Sequence, residues 1–131
     1  MSDKPQIVSS QGAAKVIRAN WDPSKLEFIE EFKVVLLNRA NRILGIVNAS
    51  SGGTCGTVVE LKVIFVAAMK ASASGIVLAH NHPSGTLRPS DQGNRITEKM
   101  VKAGKLLNLL VMDHIIITAE GYYSFADMRG L

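Results

Sequence analysis

Apolar residues along this chain change period several times, and the changes mark out its elements. Over residues 28–37 the pattern alternates: Glu30, Phe32, Val34 and Leu36 share one face, and Glu31, Lys33, Val35 and Leu37 the other. A polar turn over 38–42 leads into a returning strand over 43–48, which predicts a hairpin. Residues 75–79 form a short apolar run that ends in His80-Asn81-His82-Pro83-Ser84-Gly85, the signature of a buried strand running into a turn. Residues 109–118 form a last long strand, interrupted by Asp113-His114, and 122–125 pair back after the turn at 119–121.

The helical period appears between these strands. Ser9 or Ser10 is placed to cap a short helix over 13–18, which Asp22-Pro23-Ser24 ends. Thr57 with Glu60 reads as a capping box for a helix to about residue 73, with Leu61, Ile64, Phe65, Ala68 and Met69 on its inner side. Ser90 is the expected N-cap of a long amphipathic helix on which Ile96, Met100, Val101, Leu106 and Leu107 recur, with Gly104 a mild weakness inside it. The Gly/Ser stretch 50–56 is expected to be a flexible loop, and it lacks the Lys-Ser/Thr ending of a phosphate-binding loop. Helices alternating with strands around one sheet predict an α/β fold, a three-layer α-β-α domain with a mixed central sheet. Residues 1–27 are expected to be a lead-in carrying a short helix, and 28–131 the domain itself. The first hairpin and the final strand each leave a sheet edge open to pairing, so the oligomeric state is not determined.

Composition adds limits rather than a function. The chain has 131 residues, 47 % of them hydrophobic, enough for a single core. The net charge of +4 is scattered, with no basic run interleaved with aromatics, so nucleic acid as a partner has no support from the residues. One cysteine, Cys55, excludes an internal disulfide and a cysteine-rich zinc site. It also excludes a zinc deaminase site, which needs a Pro-Cys-x-x-Cys partner. No apolar run is long enough to span a membrane and no signal segment is visible, so a cytoplasmic location is expected. The adjacency of His, Asn and His is not evidence for an HNH nuclease, whose name describes dispersed residues.

The chemistry concentrates at the histidines. Alternation along a strand puts His80 and His82 on one face, about 6.6 Å apart along the chain, so both can reach one metal ion. A hydrolytic zinc site needs a third protein ligand and an open position. The first turn of the following helix is the natural source of that ligand. A carboxylate must take a proton from the attacking water and return it to the leaving group, and Glu30 or Glu31 is available on the neighbouring strand. Ser90 is a candidate for stabilising the oxyanion, besides capping its helix.

These residues carry a resemblance. His80-Asn81-His82-Pro83-Ser84-Gly85 with Pro89-Ser90 resembles the RadC family, a branch of the JAB1/MPN (JAMM) metalloprotease-like domains. The resemblance continues through Ala103-Gly104-Lys105-Leu106-Leu107, through Asp113-His114-Ile115-Ile116-Ile117-Thr118 and into Gly121-Tyr122-Tyr123-Ser124-Phe125. It implies a JAB1/MPN-like fold around a zinc site and a metal-dependent peptidase or isopeptidase chemistry on a peptide or protein substrate. It also carries a DNA-repair label that no residue here supports independently. By position, His80 and His82 match the two histidine ligands, Glu30 matches the water-activating glutamate better than Glu31, and Ser90 matches the motif serine. The motif then has Asp three residues after that serine, and this sequence has Gly93. Asp91 is the first substitute to consider as a metal ligand, and Asp113 or His114 the next, although a structural hydrogen bond is the preferred reading for that pair. Two readings stand from here: a zinc-dependent hydrolase with a replaced ligand, and a non-catalytic module of the same fold that binds protein or DNA.

Overall fold

The computed structural model describes residues 4–53 and 56–131. Its elements are α1 (Ser10–Ala19), α2 (Pro23–Leu26), β1 (Phe32–Leu37), β2 (Ile43–Asn48), β3 (Ser50–Gly53), β4 (Gly56–Val59), α3 (Leu61–Lys70), β5 (Gly75–Asn81), α4 (Asp91–Leu106), β6 (Leu110–Ile117), β7 (Tyr122–Ser124) and α5 (Phe125–Arg129). Five strands form a mixed sheet in the order β2-β1-β5-β6-β7. Only the β5–β6 pair is parallel, and α4 supplies the crossover that a parallel pair requires. The strands β2 and β7 form the outer edges of the sheet.

Alternation sorts the side chains onto two faces, as the strand pattern predicts. Val35, Leu37, Val77, Ala79, Ile115 and Ile117 pack with Ala13, Ala14 and Ile17 of α1 and with Trp21. Phe32, Val34, Leu36, Ile76 and Leu78 pack with Ile64 and Ala68 of α3 and Met100 of α4. The result is a three-layer α-β-α domain with α1 on one side of the sheet and α3 and α4 on the other. Ser9 is the N-cap of α1 and accepts from the Gly12 N–H at 3.0 Å, and Ala13, Ala14 and Ile17 of that helix are buried in the core, within the stretch expected to be a lead-in. Every residue of β5 is buried, as befits the middle strand.

Several expectations are corrected. The Gly/Ser stretch is not a loop throughout: Ser50–Gly53 pairs antiparallel with Gly56–Val59, in the register Ser50 to Val59. A ladder is built from backbone groups that serine and glycine share with every other residue, so it leaves no alternation to read. Thr57 lies within β4, and Glu60 is the N-cap residue of α3, without a side-chain cap bond. That helix ends at Lys70, and Met69 is exposed on its outer side. Leu106 and Leu107 end α4 exposed, beyond the reach of the sheet. Tyr122 and Tyr123 pair with β6 as expected, but Phe125 opens a one-turn helix capped by Ser124. Cys55, Thr54 and the first three residues lie outside the described residues. Among the described residues no helix is long and apolar enough to cross a membrane.

Candidate metal centre

The site forms where β5 runs off the sheet. His80 is the penultimate residue of the strand, buried, and on the α3/α4 side. His82 is the first residue after it, held to the sheet edge by its N–H to the Ile117 carbonyl at 3.1 Å. Its imidazole Nδ1 lies 2.8 Å from the Thr86 carbonyl oxygen. A carbonyl only accepts, so Nδ1 carries the proton and Nε2 presents its lone pair when the ring is neutral. That Nε2 is 2.9 Å from His80 Nε2. The other nitrogen of His80, Nδ1, is 2.8 Å from His114 Nε2. Phe32 stacks on the His80 ring with the planes 8° apart.

Glu30 joins the two histidines. One ligand atom each from Glu30, His80 and His82 lie within 4.8 Å of one another, the group of metal-binding side chains found among the described residues. Glu30 precedes β1 on the Phe32 side, as strand parity predicts. Glu31 points to the opposite face, where its carboxylate accepts from Asn48 at 3.3 Å. Asn81, between the two histidines, also faces that side. Its Oδ1 accepts from the Glu31 N–H at 2.7 Å, and its Nδ2 donates to the carbonyls of Leu26 and Ile29, both at 2.8 Å. The middle residue of His-Asn-His thus ties the segment bearing Glu30 to the histidine strand, a role that no feature of the tripeptide announces.

The three side chains line the floor of a cavity of about 660 Å³, with Phe32, Arg88, Ser90 and Gly93 on its walls. Ser90 caps α4, its Oγ accepting from the Gly93 N–H at 3.0 Å. Gly93 is buried beside His80: a Cβ there would stand 3.9 Å from His80 Cε1 and 3.3 Å from Ser90 Oγ. Asp91 is exposed in the first turn of α4 and is not among the residues lining the cavity or joined with the histidines. Asp113 is engaged elsewhere. It accepts from the His114 N–H at 2.7 Å, the Ala126 N–H at 3.0 Å and the Ser124 hydroxyl at 2.6 Å, which anchors α5. His114 meets the site from behind, through His80.

Burial keeps the inner rings neutral. His80 has its pKa pushed down to about 3, first by desolvation and then by positive charge at His82. His114, fully enclosed, is held well below the ordinary histidine range, again by desolvation first and then by charge on His80 and His82. Neutral imidazole is the ligand form. Two imidazole nitrogens nearer than twice a Zn–N bond of about 2.0–2.1 Å can touch one ion, and a carboxylate beside them completes a donor set suited to zinc. The residues present therefore fit a divalent metal. Ion pairing to such a metal is the role left to Glu30 unless it acts on water, and the two uses compete.

A mixed sheet with His-x-His at the end of its middle strand, facing a carboxylate across a cleft, defines a JAB-type domain. The comparisons agree: a model of the RadC-like JAB domain matches residues 7–131, and the chain belongs to that family. It is 43 % identical over 98 residues to a UPF0758 protein of Flavobacterium johnsoniae, an alignment covering 75 % of this chain and 43 % of the relative. A UPF0758 protein of Alkaliphilus metalliredigens is 45 % identical over 98 residues, covering 75 % and 42 %. One from Porphyromonas gingivalis is 46 % identical over 99 residues, covering 75 % and 44 %. The chain thus spans less than half the length of these relatives.

Proposed function

We propose that this domain is a zinc-dependent hydrolase of peptide-type bonds, an amidase or isopeptidase acting on a peptide or protein. The observation that carries the reading is the convergence of Glu30, His80 and His82, with the two Nε2 atoms 2.9 Å apart, in the lining of an open cavity. A divalent ion held by the two histidines would polarise the scissile carbonyl and acidify water. Glu30 takes the proton from the attacking water and delivers it to the leaving amine. Ser90 accepts from Gly93 N–H, and that bond leaves its own hydroxyl proton to donate to the developing oxyanion. The open cleft admits an extended chain, and Arg88 on its wall favours an acidic or carboxylate-bearing one.

A second reading has its own observation. Gly93 gives no side chain where the family motif carries a carboxylate, and a site with one donor fewer holds metal less tightly. In that reading the domain binds a partner without hydrolysing it. Zinc per chain after purification without chelator separates the two, measured for the parent, Gly93→Asp and Glu30→Gln. The hydrolase reading expects stoichiometric zinc in the parent. It expects Glu30→Gln to retain zinc while hydrolysis of an isopeptide substrate falls by about 100-fold or more. Zinc only in Gly93→Asp would establish the binding module instead. Zinc lost in Glu30→Gln would make Glu30 the third ligand and remove it as the base.

A further inference from the structure

Behind the two ligand histidines runs a line of hydrogen bonds with a fixed direction. It starts at the Gly93 carbonyl, in the first turn of α4. The Thr97 hydroxyl lies 2.7 Å from that oxygen and donates its one proton there, since a carbonyl cannot donate. Thr97 Oγ1 is also 2.5 Å from His114 Nδ1. With its proton already committed, the hydroxyl can only accept, so His114 carries its proton on Nδ1. A neutral His114 then has a bare Nε2, and His80 Nδ1, 2.8 Å away, must donate to it. That fixes the proton of His80 on Nδ1 and leaves its Nε2 bare. From the other direction, the Thr86 carbonyl leaves the Nε2 of His82 bare. Two lone pairs therefore meet 2.9 Å apart, an arrangement that repels unless the two nitrogens share a proton or both bind a metal ion set to one side of the line between them.

We propose that Thr97 and His114 are positioning residues that set the tautomer of His80, so that its Nε2 faces His82 and Glu30 as a metal donor and never as an N–H. The purpose of the relay rests on the metal reading above, while its direction rests on bond polarity with both enclosed rings neutral. The relay is enclosed: Thr97, His80 and His114 are all buried. Ring reversal is opposed by stacking, Phe32 on His80 and Phe125 on His114, the latter pair 4.5 Å apart and 9° from parallel. The hydroxyl of Thr97 is the one part that gives the line its sense. Replaced by a methyl, it frees the reverse order, in which His114 Nε2 donates to His80 Nδ1 and the proton of His80 moves to Nε2, into the metal position.

The test reads the protons directly. Long-range 15N–1H correlation spectra of the full chain, freed of metal, should show His80 and His114 each protonated on Nδ1. Thr97→Val should move His80 partly or wholly to the Nε2-protonated form and weaken zinc affinity by about 10–100-fold, the scale of losses behind a ligand. Thr97→Ser, which keeps the hydroxyl, should restore both the spectrum and the affinity. His114→Phe keeps the stacking on Phe125 and removes the acceptor, and should weaken zinc on the same scale. A parent spectrum with the proton on Nε2 of either ring overturns the proposal. So does a folded Thr97→Val protein with the parental tautomer and parental zinc affinity. A parent that shows the expected tautomers but binds no zinc sinks the metal reading and leaves the relay standing.

Discussion

Asn81 does the most with a single side chain. It is fully buried, and its amide joins three backbone groups of the segment that carries Glu30. The distance between the carboxylate and the histidines is therefore set from the far face of the sheet. Asn81→Asp keeps the shape and exchanges two N–H donors for an acceptor facing the carbonyls of Leu26 and Ile29. Each buried acceptor left unmet costs about 1–3 kcal/mol, so the variant should lose roughly 2–6 kcal/mol in urea unfolding and bind zinc more weakly. Parental stability would show that the segment is held by something other than this amide. At the same scale the sequence was informative about identity and silent about relations. His80 and His82 stood out from parity and spacing, whereas Glu30 was preferred to Glu31 only through the family resemblance. His114 lies 34 positions from its partner His80, and nothing local marks which of Asp113 and His114 reaches it. Thr97 reads as an ordinary helix residue until its hydroxyl is seen against His114.

Among the elements, α4 is the one whose chemistry reverses a propensity argument. Gly104 lies in its last turn, where helix propensity alone predicts a gain of about 1 kcal/mol on changing to Ala. In the fold a Cβ at 104 would stand 2.3 Å from the carbonyl oxygen of Leu109, a backbone atom on the chain leading into β6. The same glycine accepts the Leu109 N–H at 2.8 Å, so the approach closes the helix-to-strand turn. Gly104→Ala should therefore lower stability by about 1–3 kcal/mol, seen as a lower thermal midpoint. A raised midpoint would mean that the turn yields easily. Elements with a clear period were legible in this way: β1, β2, β5, β6 and α4 follow their apolar spacing. Those without one were not. Ser50–Gly53 offers no alternating side chains, and α5 has five residues, too few to show a helical repeat. Leu106 and Leu107 kept the spacing but lie exposed at the end of α4, and Met69 is exposed on the outer side of α3.

For the molecule as a whole, the two inner histidines couple folding to pH. In the unfolded chain both titrate near 6.5, whereas in the fold His80 stays neutral to about 3 and His114 is likewise held far down. Below pH of about 6.5 the unfolded state gains protons that the native state refuses, so this stability is full above that pH and is lost as the pH falls toward the folded values. Each refused proton costs about 1.4 kcal/mol per pH unit across that window. The metal-free protein should show a urea midpoint that falls steadily from about pH 7 to about pH 5, and a flat midpoint would show that the rings are not held neutral.

The burial of β5 has a last consequence, for timing. His80 stands on a strand that is buried along its whole length and bonded on both sides, so its position changes only when the sheet itself opens. His82 stands one residue beyond, on a turn closed by the Gly85 N–H to the His82 carbonyl and by Thr86. One donor is thus fixed along a fully paired strand, while the other is tied to the sheet by a single bond to Ile117 and otherwise by its own turn. If this group holds an ion, its exchange is expected to follow motion at the His82 side, at a rate set by the turn rather than by opening of the sheet.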